Sequence, residues 1–147
     1  MTGVRTCALP ILDAKDTTLR IVDYKTGGSP KTPANIEQLF TPSESRPNYI
    51  FQTFLYAAIM SRQQSLKVAP SLLYIHRAAS ESYSPVIEMG EPRQPKIPVS
   101  NFAFFEDEFR EHLQRLLEEI FDKNEPFTQT EDTKKCAYCD FKAICKR

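Results

Sequence analysis

Tryptophan is absent from the 147-residue chain, glycine occurs four times and histidine twice, and neither sign of charge prevails, with 19 Lys and Arg against 19 Asp and Glu. So little glycine excludes a collagen-like chain and concentrates backbone freedom at the adjacent Gly27 and Gly28. The charge balance and a pI near 6.7 exclude a partner held by bulk electrostatics, so nucleic acid or membrane would need a local site. No apolar run approaches the roughly 18–20 residues that span a bilayer, and no basic-then-apolar leader opens the sequence. No membrane partner is expected, and the cytoplasm is the expected location.

What is present suits one globular domain: 41% of residues are hydrophobic, enough for a real core. Residues 18–26 are rich in β-branched and aromatic types and read as the second strand of a hairpin, with the turn in the preceding segment from Asp13 to Thr17. A Gly- and Pro-rich loop over 27–34, a short amphipathic piece over 35–40 and a polar loop to Pro47 follow. Ile50, Phe51, Phe54, Leu55, Ala58 and Ile59 recur at helical spacing, predicting a buried helix from a cap at Asn48 to about Gln63. Leu72 to Ile75, just after Pro70, reads as a core strand with a weaker partner over 83–89, and 90–98 reads as irregular. Phe105, Phe109, Leu113, Leu116, Leu117, Ile120 and Phe121 share one face of a second helix over 104–123 that is expected to cover the sheet. Two isolated histidines, His76 on a strand and His112 on a helix, are expected only to pack or meet solvent.

Chemistry concentrates on the first of these strands. Side chains alternate along a strand, so Asp23 and Lys25 project from one face with attachment points about 7 Å apart. A carboxylate there can help hold a hard cation, which takes oxygen ligands and keeps waters, and an ammonium beside it can orient water and offset charge developing on phosphorus. An exposed same-face ion pair is the ordinary alternative. Gln52 and Tyr56 lie four apart in the apolar helix and so share a face, able to reach a common ligand or simply to sit at the boundary of the core.

Taken in order, Ile21-Val22-Asp23-Tyr24-Lys25-Thr26-Gly27, Gln52-x-x-x-Tyr56 and Cys136-x2-Cys139-x5-Cys145 resemble the PD-(D/E)XK nuclease superfamily, and within it the RecB-like nuclease domain at the C-terminus of AddB-type helicase–nuclease subunits. The resemblance covers residues 12–147. It implies an α/β, restriction-endonuclease-like fold, a central mixed sheet flanked by helices with a cysteine-rich metal-binding tail. It also implies hydrolysis of DNA dependent on Mg2+ or Mn2+ in double-strand-break repair, with a partner helicase–nuclease subunit. Asp23 matches the metal ligand, the backbone carbonyl of Tyr24 a second ligand, Lys25 the catalytic lysine, and Gln52 and Tyr56 the helix motif beside the active site.

The chain departs from that pattern at its first motif. Members carry a Gly-x-Ile-Asp-Arg strand whose aspartate is a second carboxylate on the metal; here residues 3–11 hold no acid, and Asp13 is assigned to the hairpin turn. Residues 1–11 are therefore expected to be a non-native or misread stretch, of which residues 3–11 resemble translated adapter sequence. Residues 12–130 form an incomplete nuclease core, 131–147 the cysteine tail, and the chain is expected to be the tail of a longer protein. One side-chain carboxylate holds a divalent ion weakly, so the chain is expected to be an impaired nuclease.

Three of the four cysteines, Cys136, Cys139 and Cys145, lie within ten residues, which favours a metal over disulfides. The resemblance implies a 4Fe-4S cluster completed by a distant fourth cysteine, with Zn2+ as the alternative; Cys7 is not assigned to it. Lys134, Lys135, Lys142, Lys146 and Arg147 make a local basic patch that suits phosphates or a solvated tail equally. Two other readings compete. One is an inactive nuclease-like module that binds DNA or scaffolds a partner. The other is a small zinc-stabilised interaction module in which the Asp-x-Lys strand is incidental, so that Asp23 and Gln52 would lie far apart.

Overall fold

The computed structural model describes residues 10–126, 128–130 and 133–146. The β-rich run folds as expected into a hairpin: β1 (Ile11–Lys15) pairs antiparallel with β2 (Thr18–Lys25), from Ile11 opposite Val22 to Lys15 opposite Thr18. The turn is shorter than expected. It consists of Asp16 and Thr17, with Asp16 at φ 53°, because a two-residue turn with positive φ matches the twist of the flanking strands. Asp13 is therefore a mid-strand residue opposite Arg20, with which it forms an exposed ion pair.

After the loop comes α1 (Glu37–Phe40), a single turn that buries Leu39. The helix α2 (Asn48–Met60) then carries the chain over the sheet. Asn48 is its first residue rather than its cap, since Pro47 occupies the cap position and no side chain bonds there. The buried stripe is Ile50, Thr53, Phe54, Ala57 and Ala58, while Ile59 is half exposed. β3 (Lys67–Tyr74) runs parallel to β2, from Thr18 beside Lys67 to Lys25 beside Tyr74, so β2 is central in the order β1-β2-β3. Hairpin plus parallel crossover gives a mixed sheet, and the single helix α2 is long enough to make the return. Pro70 lies inside β3 rather than before it; on an edge strand one side of the ladder needs no N–H donor. Ile75 leaves the strand and enters a short 3-10 turn, Ile75–Arg77, that also holds His76.

The weaker partner expected over 83–89 contributes one bridge, Ser71 to Val86, and β4 (Glu88–Met89), which pairs with β5 (Ile97–Pro98) inside the segment expected to be irregular. The helix α3 (Ala103–Phe121) closes the core with its first half only. Phe109 is fully buried and packs on Phe54 and Phe102 with ring centroids 5.8 and 5.9 Å apart. Leu117, Ile120 and Phe121 were expected beneath it on the sheet, yet they are exposed. The last helical turn, α4 (Thr133–Cys136), opens the cysteine segment, which Lys134 ties to the body through Glu44 at 2.7 Å.

Candidate active site

The strand that builds the core also builds the site. Leu19, Ile21 and Asp23 share the inward face of β2, and burial of the two apolar residues draws Asp23 down to 3% exposure. Lys25 follows on the same face at the strand's end, where its ammonium lies 2.7 Å from Asp23 Oδ2. That oxygen is buried and meets the Lys25 ammonium as an ion pair, and among the described residues no aligned hydrogen bond reaches it.

Across from it, α2 presents Tyr49, Gln52 and Tyr56 at helical spacing toward the end of β2. Lys25 Nζ donates to Gln52 Oε1 at 2.9 Å, and Gln52 Nε2 donates to the Tyr56 hydroxyl at 2.9 Å. The amide thus has one orientation: its oxygen faces the cation and its nitrogen the phenol. Asp23, Lys25, Gln52 and Tyr56 form one continuous chain of polar contacts spanning strand and helix. A strand incidental to function would set Asp23 and Gln52 apart, whereas here a single ammonium touches both.

Two residues join the site without having been singled out in the sequence. Lys25 Nζ stands 4.3 Å from the centroid of the Tyr49 ring; the available signal was its position three residues before Gln52 on the same stripe. Tyr74 is buried beside Lys25 in the β2–β3 register. Burial pushes its hydroxyl up to about 12, with smaller contributions from Tyr83, Tyr49 and the Asp23 charge, so it remains a neutral phenol wherever proteins work. Its signal, adjacency to Lys25 across a parallel pair, exists only once the strands are paired.

Two hollows open from these rings. The smaller, about 270 Å³, is lined by Gly28, Ser29, Lys31, Arg46, Tyr49 and Tyr74 among others. The larger, about 560 Å³, shares Lys31 and Tyr74 and adds His76, Arg77, Ser80 and Tyr83. Lys31 bridges the loops around them by donating to the Ser45 and Arg46 carbonyls at 2.8 and 3.2 Å.

Ile11 pairs with Val22 at the open end of the hairpin; continued by one residue, that register would set Pro10, which is not an acid, opposite Asp23. Among the described residues no three His, Cys, Asp or Glu side chains gather as a metal group. Cys136, Cys139 and Cys145 are partly buried, and no disulfide joins them; Cys7 and Arg147 lie outside the described residues. His76 packs edge-on to Tyr74 and His112 stacks on Phe40, packing roles in both cases.

A family model described as the PD-(D/E)XK nuclease superfamily matches residues 11–146. No curated protein matches the chain, and no solved structure does.

Proposed function

The chain belongs to the PD-(D/E)XK nuclease superfamily, whose reaction class is nuclease-type hydrolysis, and from that premise we propose that Asp23, Lys25, Gln52 and Tyr56 form a centre for cleaving DNA phosphodiesters. The observation that carries this reading is the Lys25 ammonium fixed between Asp23 Oδ2 at 2.7 Å and Gln52 Oε1 at 2.9 Å. Most surface lysines are free to sweep a wide volume. This one is held at a strand end by two polar partners.

Magnesium or manganese fits the donor set in part. Asp23 offers a buried carboxylate oxygen without a hydrogen bond, and with the Tyr24 carbonyl it would hold the cation; hard cations tolerate such a sparse set by keeping waters. When bound, the cation lowers the pKa of a water and polarises the phosphoryl group. The protein's own groups do the rest. Lys25 orients the attacking water and stabilises charge that builds on the non-bridging oxygen, a gain available only in the transition state. Gln52 holds that ammonium in place, and Tyr56 fixes the amide. With one carboxylate at the centre among the described residues, cation affinity is expected to be low and cleavage slow.

In its wider setting the chain is read as an AddB- or RecB-like nuclease domain in double-strand-break repair, acting in the cytoplasm on DNA with a partner helicase–nuclease subunit. Cys136, Cys139 and Cys145 are read as thiolate ligands of a 4Fe-4S cluster, with zinc as the alternative. Soft sulfur donors at this spacing support either metal. Anaerobic reconstitution separates them, since sulfur-ligated iron absorbs broadly in the visible and zinc does not.

The test of the central claim is nicking of supercoiled plasmid with Mn2+ or Mg2+. Cleavage that disappears in Asp23→Ala and in Lys25→Met is the expected result; cleavage indifferent to both would end the assignment. A second reading, a DNA-binding module without activity, is favoured by Pro10 at the position opposite Asp23. It predicts DNA binding with no Asp23-dependent uptake of Mn2+.

A further inference from the structure

The hydrolytic assignment leaves Tyr49 unused, although it is the third neighbour of the Lys25 ammonium. Nζ lies 4.3 Å from the ring centroid, within the range where the negative face of a phenol ring attracts a cation. The ring itself is braced. Tyr74 stands with its centroid 6.5 Å away, and Gly28 lies so close that an added Cβ would come within 3.1 Å of Tyr49 Cε2. Gly28 also has φ +80°, a conformation that glycine adopts without cost. The Gly27-Gly28 turn after β2 thus brings backbone against the ring whose neighbour is Lys25.

The three restraints on the ammonium differ in what happens when a cation arrives. Asp23 is both the counter-charge of Lys25 and, among the described residues, the one carboxylate at this site, so a metal on Asp23 weakens the ion pair. Gln52 supplies one directional hydrogen bond. The ring supplies attraction that neither metal binding nor proton transfer alters, because it carries no proton that Lys25 exchanges and no ligand a hard cation prefers.

We propose that Tyr49 is a positioning residue for the reaction: its ring, braced by the Gly28 backbone, keeps the Lys25 ammonium at the reacting phosphate once a metal has engaged Asp23. This rests on the hydrolytic role assigned to Lys25 above. It does not require Tyr49 to touch DNA.

The test uses the full chain carrying isotope-labelled lysine. An ammonium above a ring places the Lys25 ε-methylene protons in the shielded zone, so their resonances lie upfield of the other lysines. Tyr49→Phe keeps that shift and Tyr49→Leu removes it. In Mn2+-supported cleavage, Tyr49→Leu lowers kcat about five- to tenfold with KM for DNA unchanged, and Tyr49→Phe restores wild-type rates. Gly28→Ala, which displaces the ring while leaving it present, moves both readouts in the same direction as Tyr49→Leu. An upfield Lys25 signal that survives Tyr49→Leu overturns the proposal. So does a rise in KM with kcat intact, since the ring would then be gripping DNA. Absence of cleavage in the wild-type chain defeats the hydrolytic reading instead, and the resonance of Lys25 still reports whether the ring holds it.

Discussion

Asp13 and Asp23 project from opposite faces of the same hairpin. Asp13 pairs with Arg20 in the ladder and bonds it in solvent, whereas Asp23 lies on the face of Leu19 and Ile21 and is buried. Strand parity decides this, because Arg20 and Asp23 are an odd number of residues apart. Asp13, the first acid of the sequence, is thus unable to serve as a second carboxylate beside Asp23. Asp13→Ala is expected to leave Mn2+ binding and nicking unchanged, while Pro10→Asp puts a carboxylate opposite Asp23, where facing Cβ atoms lie about 5 Å apart. Isothermal titration should show Mn2+ affinity rising about tenfold or more, as added ligand charge predicts.

The Asp23–Lys25 pair is partly desolvated, with side-chain exposures of 4% and 13%, so its two halves depend on each other. Removing one charge strands the other away from water. Asp23→Leu or Lys25→Met alone should cost about 3 kcal/mol in urea unfolding, whereas the double substitution should be near neutral or stabilising. Equal losses in the double and single variants would show that packing, not charge, holds this corner together.

Tyr83 closes the larger hollow by a bidentate bond to β3: its hydroxyl accepts from the Tyr74 N–H at 2.8 Å and donates to the Leu72 carbonyl at 2.7 Å. Tyr83→Phe leaves both backbone groups without that partner. A loss of about 1–2 kcal/mol is expected, with amide exchange at Tyr74 accelerated and that at Ile21 little changed.

Tyr74 makes stability depend on alkaline pH. Burial raises its pKa in the folded state to about 12, above the usual 10.0 of a tyrosine, so the folded protein holds the phenolic proton more tightly than the unfolded chain. The resulting stability is fully present below pH 10 and is lost as pH rises toward 12, an effect on the order of 2 kcal/mol. Urea unfolding between these pH values should show the decline, and Tyr74→Phe should flatten it.

Much of this architecture was readable from local pattern. Richness in β-branched and aromatic residues over 18–26 identified β2, which ends at Lys25, and helical spacing identified α2 and set Gln52 above Tyr56, because both signals are properties of short segments. The pattern misled at α3. Leu117, Ile120 and Phe121 do share a face with Phe109, yet a shared face says nothing about whether a surface lies beneath it. The core contacts of α3, through Phe105, Phe109 and Leu113, are all made by its first eleven residues. The turn was likewise placed too early, since Asp13 resembles a turn residue until the two-residue geometry at Asp16 is known.

By itself the sequence determined which groups this protein can bring to chemistry and which of them share a face: Asp23 with Lys25 on a strand, Gln52 with Tyr56 on a helix. Only the tertiary structure decided that these two faces meet, that Tyr49 and Tyr74 complete their boundary and that Asp13 stays outside it. The reason is one of range. Parity and helical period act over a few residues of backbone, but the 2.9 Å between Lys25 and Gln52, 27 residues apart, exists because α2 returns the chain to lay β3 beside β2 and buries Ile50 and Phe54 in doing so.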